Sequence, residues 1–497
     1  MATVLELDGI SLNEKTLQDI ITRTKHYALL HGVLIRSTES PGDSERVHYA
    51  PIALFPSLVP RDALAKATAT QLHFNKMMHM VSYDLEFLQK CLCNLIKVDD
   101  FNKSLWDIVQ VVNEEGITQP IHLGMFRNDY MMNMKNVTSV DPSVDHAHSD
   151  SILDGLQMKQ VEFNTIASGS AGLISNVDKV QRFSLTLAGK QFNDLQIPPN
   201  NPAHGMARGL VEAWKAYGNK SACVLFVVLE PELNTLDQRR LDLEIFICDR
   251  SVPLKYVTFK DMTNRGSIRI KDKALIIDGY EVAVVYYRTG YSPKHYRSER
   301  DWDTRLMIER SKAIKCPSVQ CQLAGTKKVQ QELCRPGAVE RFIKDPELAR
   351  DIRETFVNQF SLDMGEDGDE AMEIVFANPQ SYVLKSSREG GGNNTYGADI
   401  KSLLTKIRDS EERARYILME RIFPWPQSTY FLKSGADVRL QNVVTEIGIF
   451  GVYMGTEDTE MYNSVPGHVL RTKTVDSDEG GLMVGLSYLD SPFLIDL

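Results

Sequence analysis

The sequence predicts a mixed α/β fold, and three observations carry that prediction. Between Ala222 and about Ala324 the runs "VLFVVL", "LEIFIC" and "VAVVYY" alternate with polar helical stretches, which predicts an α/β insert with a sheet of its own. From Pro60 the apolar positions Leu64, Ala67, Phe74, Met78, Val81, Leu85 and Leu88 step by threes, fours and one seven, so this segment reads as an amphipathic helix whose Met and Phe stripe belongs to the core. The loop "LKSSREGGGNNTYG" (Leu384–Gly397) follows the strand-like Tyr382-Val383-Leu384. It precedes Ile400, Leu403, Leu404 and Ile407 at helical spacing, and so links a strand to a helix.

Bulk properties limit the function classes. A chain of 497 residues suggests roughly three units at about 150 residues each. We divide it at 1–221, 222–325 and 326–497, with the glycine loop 385–397 in the last. With 43% hydrophobic and 25% charged residues it falls in the globular class. A net charge of −10 argues against nucleic-acid or anionic-membrane partners, which need a basic surface. The apolar run Ala222–Leu229 is far short of the ~18 residues of a membrane span. The start "MATVLELDGISLNEK" has neither a basic segment nor an apolar core, so no secretory signal is expected here, although one removed beforehand would be invisible. Seven cysteines, at Cys91, Cys93, Cys223, Cys248, Cys316, Cys321 and Cys334, form no disulfide framework and no paired CxxC zinc motif, which suits reduced thiols in the cytoplasm.

Lys327 to about Glu373 reads as charged helical sequence, and Val137–Gly155 as an exposed loop. In that loop His146 and His148 lie beside acids, but spacing implies no third metal ligand.

Several stretches could carry chemistry. The glycine run is either a flexible connector or a phosphate cradle. In the second case its N–H groups close on oxygens, Lys385 and Arg388 supply charge, and Glu389 offers a hard oxygen for Mg²⁺. The P-loop order of residues is missing. In "KQVEFNTI" a strand would project Glu162 and Asn164 from one face, either as magnesium ligands or as an ordinary polar face. In "LRTKT" Arg471 and Lys473 share a face by the same spacing, suited to a carboxylate and a phosphate or simply to solvent. Glu232 with Asn234, and Arg288 with Tyr291, are weaker signals of the same kind. No G-x-S-x-G, H-E-x-x-H or paired CxxC is present. The combination favours chemistry on ATP in which the protein positions groups and neutralises charge.

Together "LAGTKKVQQEL", "REGGGNN", "KQVEFNT", "EIGIFGVY", "LMERI" and "LRTK" resemble the eukaryotic glutathione synthetases, members of the ATP-grasp ligases, from about Tyr49 to about Leu489. The resemblance implies an ATP-grasp fold with an inserted α/β substrate-binding domain, a mobile glycine-rich lid and a homodimer. It also implies an ATP-dependent ligase that phosphorylates γ-glutamylcysteine and lets glycine displace the phosphate. It places ATP against Lys327, Lys385, Asn394, Tyr396, Met419, Glu420, Arg421, Ile422, Glu446, Lys473 and Glu479, and Mg²⁺, as two ions, at Glu162, Asn164 and Glu389. It gives Arg388, Lys385 and Lys327 the developing negative charge. The peptide and its acceptor fall to Arg127, Ala167, Ser168, Gly169, Ser170, Glu232, Asn234, Gln238, Arg288, Tyr291, Arg471, Leu482 and Met483.

The chain departs from the family pattern at both ends of the peptide pocket. "NTIASGSAG" (164–172) puts Ala167 and Gly169 where serines are usual and shifts the hydroxyls to Ser168 and Ser170, opposite faces if the segment is extended. Each hydrogen bond lost costs about 0.5–1.5 kcal/mol, rising to about 3 if a polar group is left unpaired. Leu482 and Met483 replace a small pair, commonly Val-Ala, beside the incoming glycine. Ser386-Ser387 stand for a frequent Pro-Gln, and Arg421 for a lysine. Three readings follow: a ligase of altered donor or acceptor preference, ordinary glutathione synthesis, or an ATP-binding paralogue that binds or regulates without ligating.

Overall fold

The computed structural model describes residues 12–37, 39–40, 42–135, 155–482 and 485–497. The expected loop at Val137–Gly155, with its two histidines, lies outside the described residues except for its last position.

Three sheets organise the chain. The body sheet has the order Gln427–Leu432, Ile52–Ala53, Tyr488–Asp490, Glu460–Thr474, Leu440–Gly455, His122–Met134, Leu156–Asn164. Gln427–Leu432 also pairs with Leu440–Gly455, so five of the strands return on themselves. The helix Arg61–Tyr83 packs against this sheet and buries Leu64, Ala67, Phe74, Met78 and Val81, but the expected stripe does not continue on it: Asp84 ends this helix and caps a second, Leu85–Leu92, which carries Leu85 and Leu88.

Strand register builds the functional face. Asp129 lies opposite Glu162 on one side and Gly448 on the other. Arg127 faces Asn164, and Glu446 faces Arg471. Alternation along each strand therefore stacks charged side chains from four strands on one face.

The insert sheet runs Leu254–Thr258, Cys223–Val228, Tyr280–Tyr287, Ala274–Ile277, Gly266–Arg269, with Ile314–Cys316 added beside Tyr280–Tyr287. Its central pairs are parallel. Cys223, Leu225 and Val227 enter one core and Val224 and Phe226 another, so the strand is apolar throughout because both faces are covered.

One expected strand of this insert is a helix. "LEIFIC" belongs to Thr235–Cys248, which buries Leu241 and Ile245 one turn apart and leaves Leu243, Phe246 and Ile247 exposed at 47%, 51% and 58%. A short apolar run has no period that separates strand from helix, and the buried i, i+4 pair decides here.

The third sheet, antiparallel, has the order Gln359–Ser361, Tyr416–Glu420, Tyr382–Ser386, Asn394–Tyr396. Helices Glu366–Ala377 and Gly397–Lys406 close its core through Met372, Val375, Ile400 and Leu404 against Leu384 and Leu418. Two expectations are refined here. The helical stretch after Lys327 is interrupted by the strand Gln359–Ser361, and the glycine loop turns back as a hairpin to Asn394–Tyr396 before its helix begins.

Candidate active site

The three sheets enclose a cavity of about 810 Å³, the size of a small-molecule site. All the candidate residues named from the sequence line it except Met483, which lies outside the described residues.

At its centre Lys327, the first residue of the helix Lys327–Leu333, places Nζ 3.3 Å from Glu162 Oε2 and 3.0 Å from Glu389 Oε1. Burial pushes Glu162 up, but Lys327, Lys385, Arg127 and Arg471 outweigh it and hold the carboxyl well below the usual range. Burial pushes Glu389 up against the pull of Lys327. For Lys327, burial is overcome by the two carboxylates, so it stays protonated. A cationic group thus already occupies the gap between the acids. Both amide hydrogens of Asn164 are used, by Arg127 O at 3.2 Å and Asp129 Oδ2 at 2.9 Å, which leaves its oxygen available to a cation. Two carboxylates and an amide oxygen fit Mg²⁺, which keeps other positions for phosphate and water. Among the described residues no group of three His, Cys, Asp or Glu is placed to hold a metal, so the amide is a necessary part of this set.

Two further lysines face the same space. Lys385 donates to Val161 O at 2.6 Å and Lys473 to Asp478 O at 2.6 Å, and burial lowers both pKa values. Beyond them Met419, Glu420, Arg421 and Ile422 line the far end, where Arg421 pairs with Asp478 at 2.6 Å.

The glycine loop is held from two sides. Gly390, Gly391 and Gly392 have φ of +105°, +74° and +70°, a run that a chain with side chains could hold only under strain. Glu479 accepts from the N–H groups of Gly392 and Asn394 at 3.2 and 3.1 Å, so its carboxylate is spent on the lid backbone. Arg388 turns away to Asp99, the N-cap of the helix Asp100–Glu115, with bonds of 3.0 and 2.6 Å, and lies over Phe101.

At the other end Arg288 donates to Ala167 O and Ser168 O at 3.3 and 3.0 Å and pairs with Asp237 at 3.1 Å. The loop it holds is not extended. Ala167 and Ser170 have φ of 53° and 77°, so a one-residue shift does not simply reverse the hydroxyls. Ser168 Oγ donates inward to Met125 O at 3.1 Å. A Cβ at Gly169 would lie 3.1 Å from Arg288 Nη2 and 3.4 Å from Asn234 Nδ2. The loop packs close against the arginine because a side chain is missing there. Glu232, Asn234 and Gln238 form a linked set, Asn234 N and Gln238 Nε2 donating to Glu232 at 2.8 and 2.7 Å. Tyr291 lines the wall near Gly390.

Residues 14–494 match the model of the eukaryotic glutathione synthase ATP-binding domain. Glutathione synthetases of Xenopus laevis and Homo sapiens are each 42% identical, the first over 98% of this chain and 99% of that protein, the second over 97% and 98%. The chain belongs to this family. The chloroplastic enzyme of Arabidopsis thaliana is 34% identical over 97% of this chain and 86% of that protein. A solved structure of a glutathione synthetase-like effector from Globodera pallida, without ligand, has the same fold, with TM-score 0.74 at 23% identity over 100% of both chains.

Three acids escaped the sequence reading of this member of the glutathione synthetase family. Asp129 stands two residues from Arg127 on a strand, a spacing that would have put them on one face. Asp237 precedes Gln238 and accepts from the N–H groups of Ser170, Gly172 and Leu173, clamping the loop that begins at Ala167. Asp99 has no local signal, being 289 residues from Arg388.

Proposed function

We propose that this chain joins γ-glutamylcysteine, or a closely related peptide, to glycine or another small amine at the expense of ATP. It is an ATP-dependent carbon–nitrogen ligase of the glutathione synthetase type. The observation that carries the site assignment is the single cavity in which Glu162, Glu389 and Asn164 face Lys327, Lys385 and Lys473 beneath a glycine lid.

In this reading the donor's terminal carboxylate attacks the γ-phosphorus, ADP leaves, and the amine then displaces phosphate from the acyl phosphate. Lys327 and Lys385 neutralise the transferred group, and Lys473 holds the nucleotide, with the adenine against Met419–Ile422. Magnesium, as a pair of ions held by Glu162, Asn164 and Glu389, would supply further neutralisation of phosphate oxygens. The lid excludes water, which would hydrolyse an acyl phosphate. Arg388, committed to Asp99, serves by fixing that lid.

A shifted donor or acceptor preference is supported by the inward Ser168 hydroxyl and by Leu482 in the cavity wall. For the dimer we propose the exposed face of Thr235–Cys248, where three large apolar residues meet solvent. Among the described residues no helix is long and apolar enough to cross a membrane. The seven free thiols suit a reducing cytoplasm.

The test is ADP release with mass-spectrometric product identification, supplying ATP, Mg²⁺ and γ-glutamylcysteine with glycine, β-alanine, serine or no acceptor. Glutathione at an ordinary enzyme rate supports the family reaction, and a different adduct names another acceptor. ATP binding with no ligated product from any of these would sink the proposal.

A further inference from the structure

Asp129 is fully buried on the strand His122–Met134, beside the edge strand of the body sheet, and takes four hydrogen bonds from three side chains of the cavity. Arg127 Nε and Nη2 donate to it at 2.7 and 2.8 Å, Arg471 Nη2 at 2.9 Å and Asn164 Nδ2 at 2.9 Å. All four contacts come from N–H groups, so position 129 must present acceptor oxygens on every side. Room for it is made by its neighbour. A Cβ at Gly448, opposite in the register, would stand 2.7 Å from Asp129 Oδ1 and 3.0 Å from Arg127 Cδ.

We propose that Asp129 is a positioning residue that sets the metal-binding and carboxylate-binding atoms of the site without touching substrate itself. An amide has two nearly equivalent ends, and nothing in Asn164 alone decides which end meets a cation. Asp129 decides it. By accepting from Nδ2, together with Arg127 O, it turns Oδ1 away toward the cavity that Glu162 and Glu389 share. The same carboxylate holds Arg127 and Arg471 on either side of itself, so the two guanidiniums approach one anion instead of repelling each other. Arg471 is also paired with Glu446, and Arg127 reaches Gly169 O at 3.4 Å, so the anchor links the metal corner to the substrate loop. Partners that orient a metal ligand change metal affinity by about 10- to 100-fold when altered.

The inference rests on the reading of Glu162, Asn164 and Glu389 as the metal site, and the experiment separates the two. Binding of the Mn²⁺ complex of a non-hydrolysable ATP analogue is titrated calorimetrically, with and without Mn²⁺, for the wild type, Asp129→Asn, and Asp129→Asn combined with Asn164→Asp. The single variant brings an amide N–H against three donors and lets the Asn164 amide reverse. We expect its Mn²⁺-dependent binding to weaken about 10- to 100-fold, while metal-free nucleotide binding stays within about threefold. The double variant moves the carboxylate to position 164, where it is again paired with an amide and offers oxygen to the metal but loses the bond to Arg127 O, and it recovers part of the loss. Unchanged Mn²⁺-dependent binding in the single variant, or loss without recovery in the double, overturns the role of Asp129. Should the single variant fail to fold, the double alone decides, because it keeps the site's charge: retained Mn²⁺ dependence supports the role and its absence overturns it. A wild type whose nucleotide binding ignores Mn²⁺ would instead overturn the metal-site reading, and this inference with it.

Discussion

Replacing Asp99 by asparagine tests whether the lid is held from outside the nucleotide pocket. Asp99 is 3% exposed and Arg388 30%, and they meet through two bonds of 3.0 and 2.6 Å. Hydrogen bonds to charged groups contribute about 1.5–3 kcal/mol. Screening at the partly exposed arginine reduces this to about 1–2 kcal/mol, a factor of about 5–30 in the closing equilibrium. Asparagine is isosteric and still accepts from the Asn102 N–H, so the helix Asp100–Glu115 keeps its cap and stability should hardly change. The assay is steady-state ADP release beside peptide formation. We expect the KM for ATP to rise about 5- to 30-fold and more than one ADP to appear per peptide, because an acyl phosphate under a loose lid meets water. An unchanged KM for ATP with one ADP per peptide would refute the latch.

Three further outcomes follow from the geometry. Burial lowers the pKa of Lys385 and Lys473; a lowered cation loses its charge as pH rises, so kcat/KM for ATP should fall on the alkaline side below the ordinary lysine value of 10.5, and Lys385→Arg should move that limb upward. A limb no lower than a free lysine's would contradict the assignment. Asp237→Ala strands Arg288 and three loop N–H groups, and should cost about 3–5 kcal/mol in denaturant titration while raising the KM for the donor more than that for ATP. Phe246→Asp with Ile247→Asp alters only exposed positions, and sedimentation should show the mass halved with the circular dichroism unchanged; a wild type that already sediments as a monomer removes the dimer face.

Much of the site was legible in the sequence because its parts are local. Glu162 with Asn164, and Arg471 with Lys473, share faces through the two-residue period of a strand, and the glycine run carries its own conformational signature. The same rule applied to Arg127 would have found Asp129. It failed at Ser168, where the chain enters left-handed conformations and alternation no longer describes which way a hydroxyl points.

By itself, then, the sequence determined the period of the longer elements, the glycine run, and which charged and amide side chains share a strand face. Only the tertiary structure decided which charges meet. Arg388 finds Asp99 across 289 residues, Arg471 finds Asp129 across 342, and "LEIFIC" becomes a helix because Leu241 and Ile245 have a core to enter. These outcomes depend on register and packing between distant segments, and a hydrogen bond between such segments leaves no mark in the local pattern of either one.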